Sequence, residues 1–99
     1  MISCIDSIFD YTQNIEYAEF KRNDMMVEAC VFNLSQIGEL VNKLEKTFLT
    51  RHQDIPWFKV RGLRNRIVHD YEGVNLILIW EIIENDLSSL KEQLLELLI

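Results

Sequence analysis

Residues 27–48 read "VEACVFNLSQIGELVNKLEKTF". Apolar side chains fall at Val27, Cys30, Val31, Leu34, Ile37, Val41, Leu44 and Phe48, mostly three or four positions apart. That is the repeat of one buried helix face, not the alternation of a strand. The spacing predicts a helix over roughly 24–50, about 40 Å long at about 1.5 Å per residue. "KRND" at 21–24 breaks the pattern ahead of it. Asn23 or Asp24 supplies an oxygen for the first free helix N–H groups, with Glu28 near enough to assist. Gly38 lies inside this helix, where it costs about 1 kcal/mol relative to Ala. Close approach of another helix, in the same chain or across a dimer, is the expected reason for it.

The same repeat extends in both directions. Ile2, Ile5, Phe9, Tyr11, Ile15 and Ala18 predict a helix over roughly 1–19 that lacks a clear capping residue. "RHQDIP" at 51–56 reads as a connection, and Pro56 suits the first turn of a shorter helix over about 56–71. Gly73 stands where a left-handed residue commonly stops such a helix. Asn75 caps a last helix over about 75–98, marked by Leu76, Ile79, Trp80, Ile83, Leu87, Leu90, Leu94 and Leu97. Glu81, Glu84, Asp86, Glu92 and Glu96 mostly take its other faces, as a solvated surface does. No strand pattern or repeat interrupts the series. The expected fold is all-α, an antiparallel bundle of four main helices in a single domain over 1–99. The long second helix and the Leu-rich last one carry more apolar surface than a small monomer hides, so a homodimer is expected.

Composition narrows the class further. A chain of 99 residues with 48% hydrophobic and 26% charged residues is in the range of one globular domain with a modest core. Cys4 and Cys30 sit on apolar helix faces without CxxC or Cys/His spacing, so free thiols are expected. No run of about 18 apolar residues and no basic-then-apolar start is present, which points to the cytoplasm. The net charge of −6 is unevenly spread. Residues 51–71 hold five Lys or Arg against two Asp, whereas the rest of the chain holds five against fourteen acidic residues. A cationic segment in an acidic body binds a short stretch of phosphate backbone, with sensitivity to salt.

That segment ends in "RNRIVHDY" at 64–71. On a helical wheel, Leu63 and Ile67 face inward, while Arg61, Asn65 and His69 share another face at steps of about 40°. Arg66 lies about 60° beyond His69, and Arg64 about 140° from it, so Arg64 reaches His69 by bending, by unwinding of the helix end, or from a second chain. Each residue alone has an ordinary structural role: Arg64 and Arg66 as ion-pair partners, Asn65 bonded to a loop carbonyl, Tyr71 as a core ring. Arg61 and Arg66 are RNA-phosphate candidates from charge and geometry. Gathered in this order, the residues point to chemistry at a phosphate.

The segment "LRNRIVHDY" at 63–71 resembles the R-x4-H-x-Y signature of HepT-like proteins, the toxin branch of the HEPN superfamily. "IPWFKVRGLRNRIVHDY" at 55–71, "WEIIENDLSSLKEQL" at 80–94 and "NLSQIGELVNKL" at 33–44 extend the resemblance over nearly the whole chain. Asp70, at the variable position, places an anion beside the motif. The resemblance also implies several residues ahead of the position matched by Met1, so the first helix is expected to be a turn or more short.

The resemblance implies a metal-independent endoribonuclease paired with a minimal nucleotidyltransferase antitoxin, and no cofactor is expected. One His per chain is too few for separate acid and base roles, so a homodimer that brings two His69 and two Arg64 into one groove is expected. It makes Arg64 and His69 the catalytic pair and Asn65 their polar companion. It makes Tyr71 the tyrosine that the antitoxin modifies with AMP. These residue types fit RNA cleavage by the substrate's own 2′-hydroxyl: an imidazole moves protons near neutral pH, and a guanidinium fork meets the phosphoryl oxygens. A non-catalytic helical module that partners a nucleotidyltransferase is the alternative expectation, because the acidic helices and apolar stripes also suit protein contacts.

Overall fold

A computed structural model describes residues 1–62 and 76–97, and every regular element among them is helical. In chain order these are α1 (Ile2–Thr12), α2 (Tyr17–Arg22), α3 (Asp24–Asn42), α4 (Lys46–Arg51), the helical residues 57–62 of α5, α6 (Leu76–Glu81), a π-helical turn (Ile82–Asp86) and α7 (Leu87–Glu96). The fold is an all-α helical bundle. Its Cα envelope measures 41 × 27 × 17 Å. With packed helices about 8–10 Å apart, the short dimension is two helix layers.

The predicted face of α3 forms the centre. Val27, Cys30, Leu34, Ile37, Gly38 and Val41 are all buried, and α1 lies along this helix. Asn23 is its N-cap: Met26 N–H donates to Asn23 Oδ1 at 3.1 Å, as expected from "KRND". Ile5 and Ile8 on α1, Phe20 on α2, Ile79 on α6 and Leu87, Leu90 and Leu94 on α7 complete the core, and no polar residue is buried among the described ones. Burial raises the Cys30 thiol to about pKa 11, so it stays protonated and inert at neutral pH. Cys4 is half-buried, and both thiols are free, as expected.

Two expected helices are each broken in two. The helix over 1–19 stops at Thr12, whose hydroxyl donates back to the Ile8 carbonyl at 2.9 Å. Asn14 then takes a left-handed conformation, φ 60°. Asn is one of the few residues that accept it, and it ends helices in the way Gly does. The helix over 24–50 stops at Asn42. Its last turn tightens, with Lys43 N–H donating to the Leu40 carbonyl and Leu44 N–H to that of Val41, and an extended Glu45 opens α4. Leu44 and Phe48 remain half-buried against the core, so the apolar spacing continues across the break.

The last helix is continuous in outline over 76–96 but contains the π turn. Ile79, Ile83 and Leu87 are successive gaps of four. In a regular α-helix eight residues turn about 800°, leaving Leu87 about 80° from Ile79. A π turn absorbs one extra residue and returns Leu87 to within about 20° of that line. Ile82 and Ile83, within the turn, are both buried. Beyond it α7 packs on α1, where Lys91 Nζ lies 2.6 Å from Asp6 Oδ1. That pair is partly exposed, so it contributes at most about 1 kcal/mol.

Candidate functional site

The cationic segment enters through the loop 52–56 and α5. Several interactions fix that start. Ile55, Trp57 and Val60 are buried. Trp57 Nε1 donates to the His52 carbonyl at 2.9 Å, and Phe48 packs its ring 4.6 Å from His52 and 6.1 Å from Trp57. Val60 N–H donates to the Pro56 carbonyl at 3.1 Å, so Pro56 stands at the helix start as expected. From the other side of the bundle, Gln93 Nε2 on α7 donates to the Asp54 carbonyl at 2.7 Å. The loop is therefore tied to α4, α5 and α7 together.

With one face of α5 held inward, the other faces outward. Phe58, Lys59 and Arg61 are exposed. Among the described residues no carboxylate pairs with Lys59 or Arg61. Arg61, expected to meet RNA phosphate, is thus an exposed cation without a carboxylate partner among the described residues. Arg64, Asn65, Arg66, His69 and Tyr71 lie outside the described residues. So do the inward pair Leu63 and Ile67, Asp70, the helix stop at Gly73 and the cap at Asn75.

A cleft of about 290 Å³ lies between the start of α5 and the π turn, lined by Pro56, Lys59, Val60, Ile82, Asp86 and Gln93 among others. It takes in Lys59 but not Arg61, which follows two positions later and about 160° around the helix. The two cations of α5 therefore serve different surfaces. Among the described residues no three His, Cys, Asp or Glu side chains gather as metal ligands. Among them also, no helix is long and apolar enough to cross a membrane.

Phe58 was not among the expected site residues, yet its ring is 87% exposed. An aromatic residue beside Trp57 reads as core by hydrophobicity. The signal that separates the two is the wheel: Trp57 and Val60 share the inward face, and Phe58 falls about 130° from its midline.

Comparisons with known proteins agree with the motif. A family model described as ribonuclease HepT-like matches residues 1–97. A provisionally named RNase of Caldanaerobacter subterraneus subsp. tengcongensis is 33% identical over 91 residues, covering 92% of this chain and 81% of that protein. A provisionally named RNase of Methanocaldococcus jannaschii is 30% identical over 93 residues, covering 94% and 85%. A provisionally named ribonuclease HepT of Thermococcus cleftensis is 29% identical over 87 residues, covering 88% and 79%. No solved structure matches significantly. The match spans the bundle from α1 to α7 and includes the cationic segment, and on that basis the chain belongs to the HepT-like ribonuclease family.

Proposed function

We propose that this chain is a metal-independent endoribonuclease of one domain over 1–99, acting as a homodimer. The observation that carries the reading is the match over residues 1–97 to the HepT-like ribonucleases, joined to RNA-degrading names among relatives that align over most of both chains. An exposed Arg61, without a carboxylate partner among the described residues, on a helix anchored by Trp57 supports it locally.

In this reading the 2′-hydroxyl of RNA attacks the adjacent phosphorus, and the bond to the 5′-oxygen breaks. His69 moves the protons, imidazole being the side chain whose ordinary pKa suits transfer in both directions near neutral pH. Arg64 offers its guanidinium fork to the phosphoryl oxygens as they gain charge. Asn65 orients the pair, and Arg61 and Arg66 hold neighbouring phosphates. One His69 cannot serve at once as base and acid, so two chains around a two-fold axis supply two. The apolar residues Met25 and Phe32, two turns apart on α3 and 82% and 61% exposed, favour a second chain covering that side of the bundle. Tyr71 is the regulatory position: AMP added by a minimal nucleotidyltransferase antitoxin places an anion beside the arginines and competes with RNA for them.

The reading is tested by incubating the protein in EDTA with an RNA and with the same sequence carrying 2′-O-methyl riboses. The expected result is cleavage of the RNA alone, leaving a 2′,3′-cyclic phosphate and a 5′-hydroxyl. Cleavage of the methylated strand, or a requirement for added Mg²⁺, overturns the mechanism. No cleavage of either strand, with a stable complex on a nucleotidyltransferase, makes the chain the non-catalytic partner module instead.

A further inference from the structure

We propose that Phe58 is a base-stacking platform for single-stranded RNA; this rests on the ribonuclease reading above. A Phe ring that is 87% exposed has lost the main reason for a ring of that size, which is burial. It is not a slack side chain on a loose segment. Its neighbours Trp57 and Val60 are buried, and Trp57 is hydrogen-bonded to the His52 carbonyl, so the backbone that carries Phe58 is fixed. Among the described residues no other ring packs against it. Both of its faces are therefore open to a ligand.

The surroundings select the ligand. Arg61 follows Phe58 by three positions and about 60° of helix, exposed and without a carboxylate partner among the described residues. Gly62 follows by four positions, on the same side, and a Cβ placed there meets nothing within 4 Å. A flat aromatic face, an exposed guanidinium and an open floor lie within little more than one helical turn. A nucleotide uses all three: its base stacks on Phe58, its phosphate meets Arg61, and its backbone passes over Gly62. A protein partner would use the ring but would leave Arg61 to find an acid. Stacking accepts every base, so this contact adds affinity and register rather than sequence choice.

The test uses a short fluorescent single strand with 2′-O-methyl riboses, which binds without being cut. Its dissociation constant is measured for the parent, Phe58→Ala, Phe58→Leu and Phe58→Trp, with sedimentation velocity and helicity recorded for each. The expected result is a loss of about 5- to 150-fold for both Ala and Leu, with Trp equal to the parent or tighter. All four proteins keep the same helicity and sedimentation coefficient. Leu binding as tightly as Trp overturns stacking, because then any apolar contact suffices. Unchanged affinity in Phe58→Ala with a smaller sedimenting species also overturns it and assigns Phe58 to a protein interface. A parent that does not bind the strand at all refutes the ribonuclease reading itself, and the platform falls with it.

Discussion

Replacing His69 with Ala lowers RNA cleavage in EDTA by about 10²–10⁴-fold while leaving the far-ultraviolet helix signal unchanged. The magnitude is that of a positioned general acid–base group. Arg64→Ala gives a loss of about 10²–10³-fold, in the range of a single removed donor to developing charge. Arg64→Lys recovers only part of it, since an ammonium keeps the charge but lacks the planar fork. Arg61→Ala behaves differently. If Arg61 holds a phosphate as proposed, its loss is expected to weaken RNA binding and make the salt dependence shallower, with little change in the rate at saturating RNA. The measurement is single-turnover cleavage of one labelled RNA by the four variants and the parent. If His69→Ala cut as fast as the parent, the imidazole would have no part in the chemistry, and the motif would have to be explained by folding alone.

The largest stability effect is expected at Phe20. Its side chain is fully buried, and its ring centroid lies 5.0 Å from that of Trp80, which in turn lies 6.2 Å from Tyr17. These rings fasten the six-residue α2 to α6, and α2 is too short to hold its shape without tertiary contacts. Truncation to Ala removes the ring and leaves a cavity, at a cost of about 3–5 kcal/mol. A domain of this size has a total stability of roughly 5–15 kcal/mol. Thermal unfolding by circular dichroism should therefore move down by roughly 15–30 °C. Phe20→Leu, which keeps most of the volume, costs less. A shift of only a few degrees for Phe20→Ala would mean that α2 does not depend on this ring for its docking.

Much of this fold is legible in the sequence, and the exceptions have physical causes. The core face of α3 follows from the spacing Val27, Cys30, Leu34, Ile37, Val41, and Asn23 caps it as its chemistry requires. The break at 13–16 was hidden because Ile15 keeps the apolar spacing while Asn14, not Gly or Pro, makes the left-handed turn. The break at 43–45 contains neither Gly nor Pro, and Leu44 and Phe48 bridge it in register, so periodicity reads straight through. The π turn did leave a trace. Two consecutive gaps of four, Ile79–Ile83–Leu87, drift off a regular helix face, and only a local extra residue restores them. At the site, the motif in 64–71 is a reading of residue types and order, whereas Phe58 is visible only once the inward face of α5 is known. Hydrophobicity alone places that ring in the core; its exposure comes from which neighbours occupy the inward face first.

If two chains together form the cutting site, cleavage must depend on dimer concentration. The rate of RNA cleavage per chain in EDTA is followed down a dilution series, with sedimentation velocity at each concentration. The rate per chain is expected to fall in step with the dimer fraction and to vanish in the monomer. A monomer that cuts RNA at the full rate per chain would contradict it.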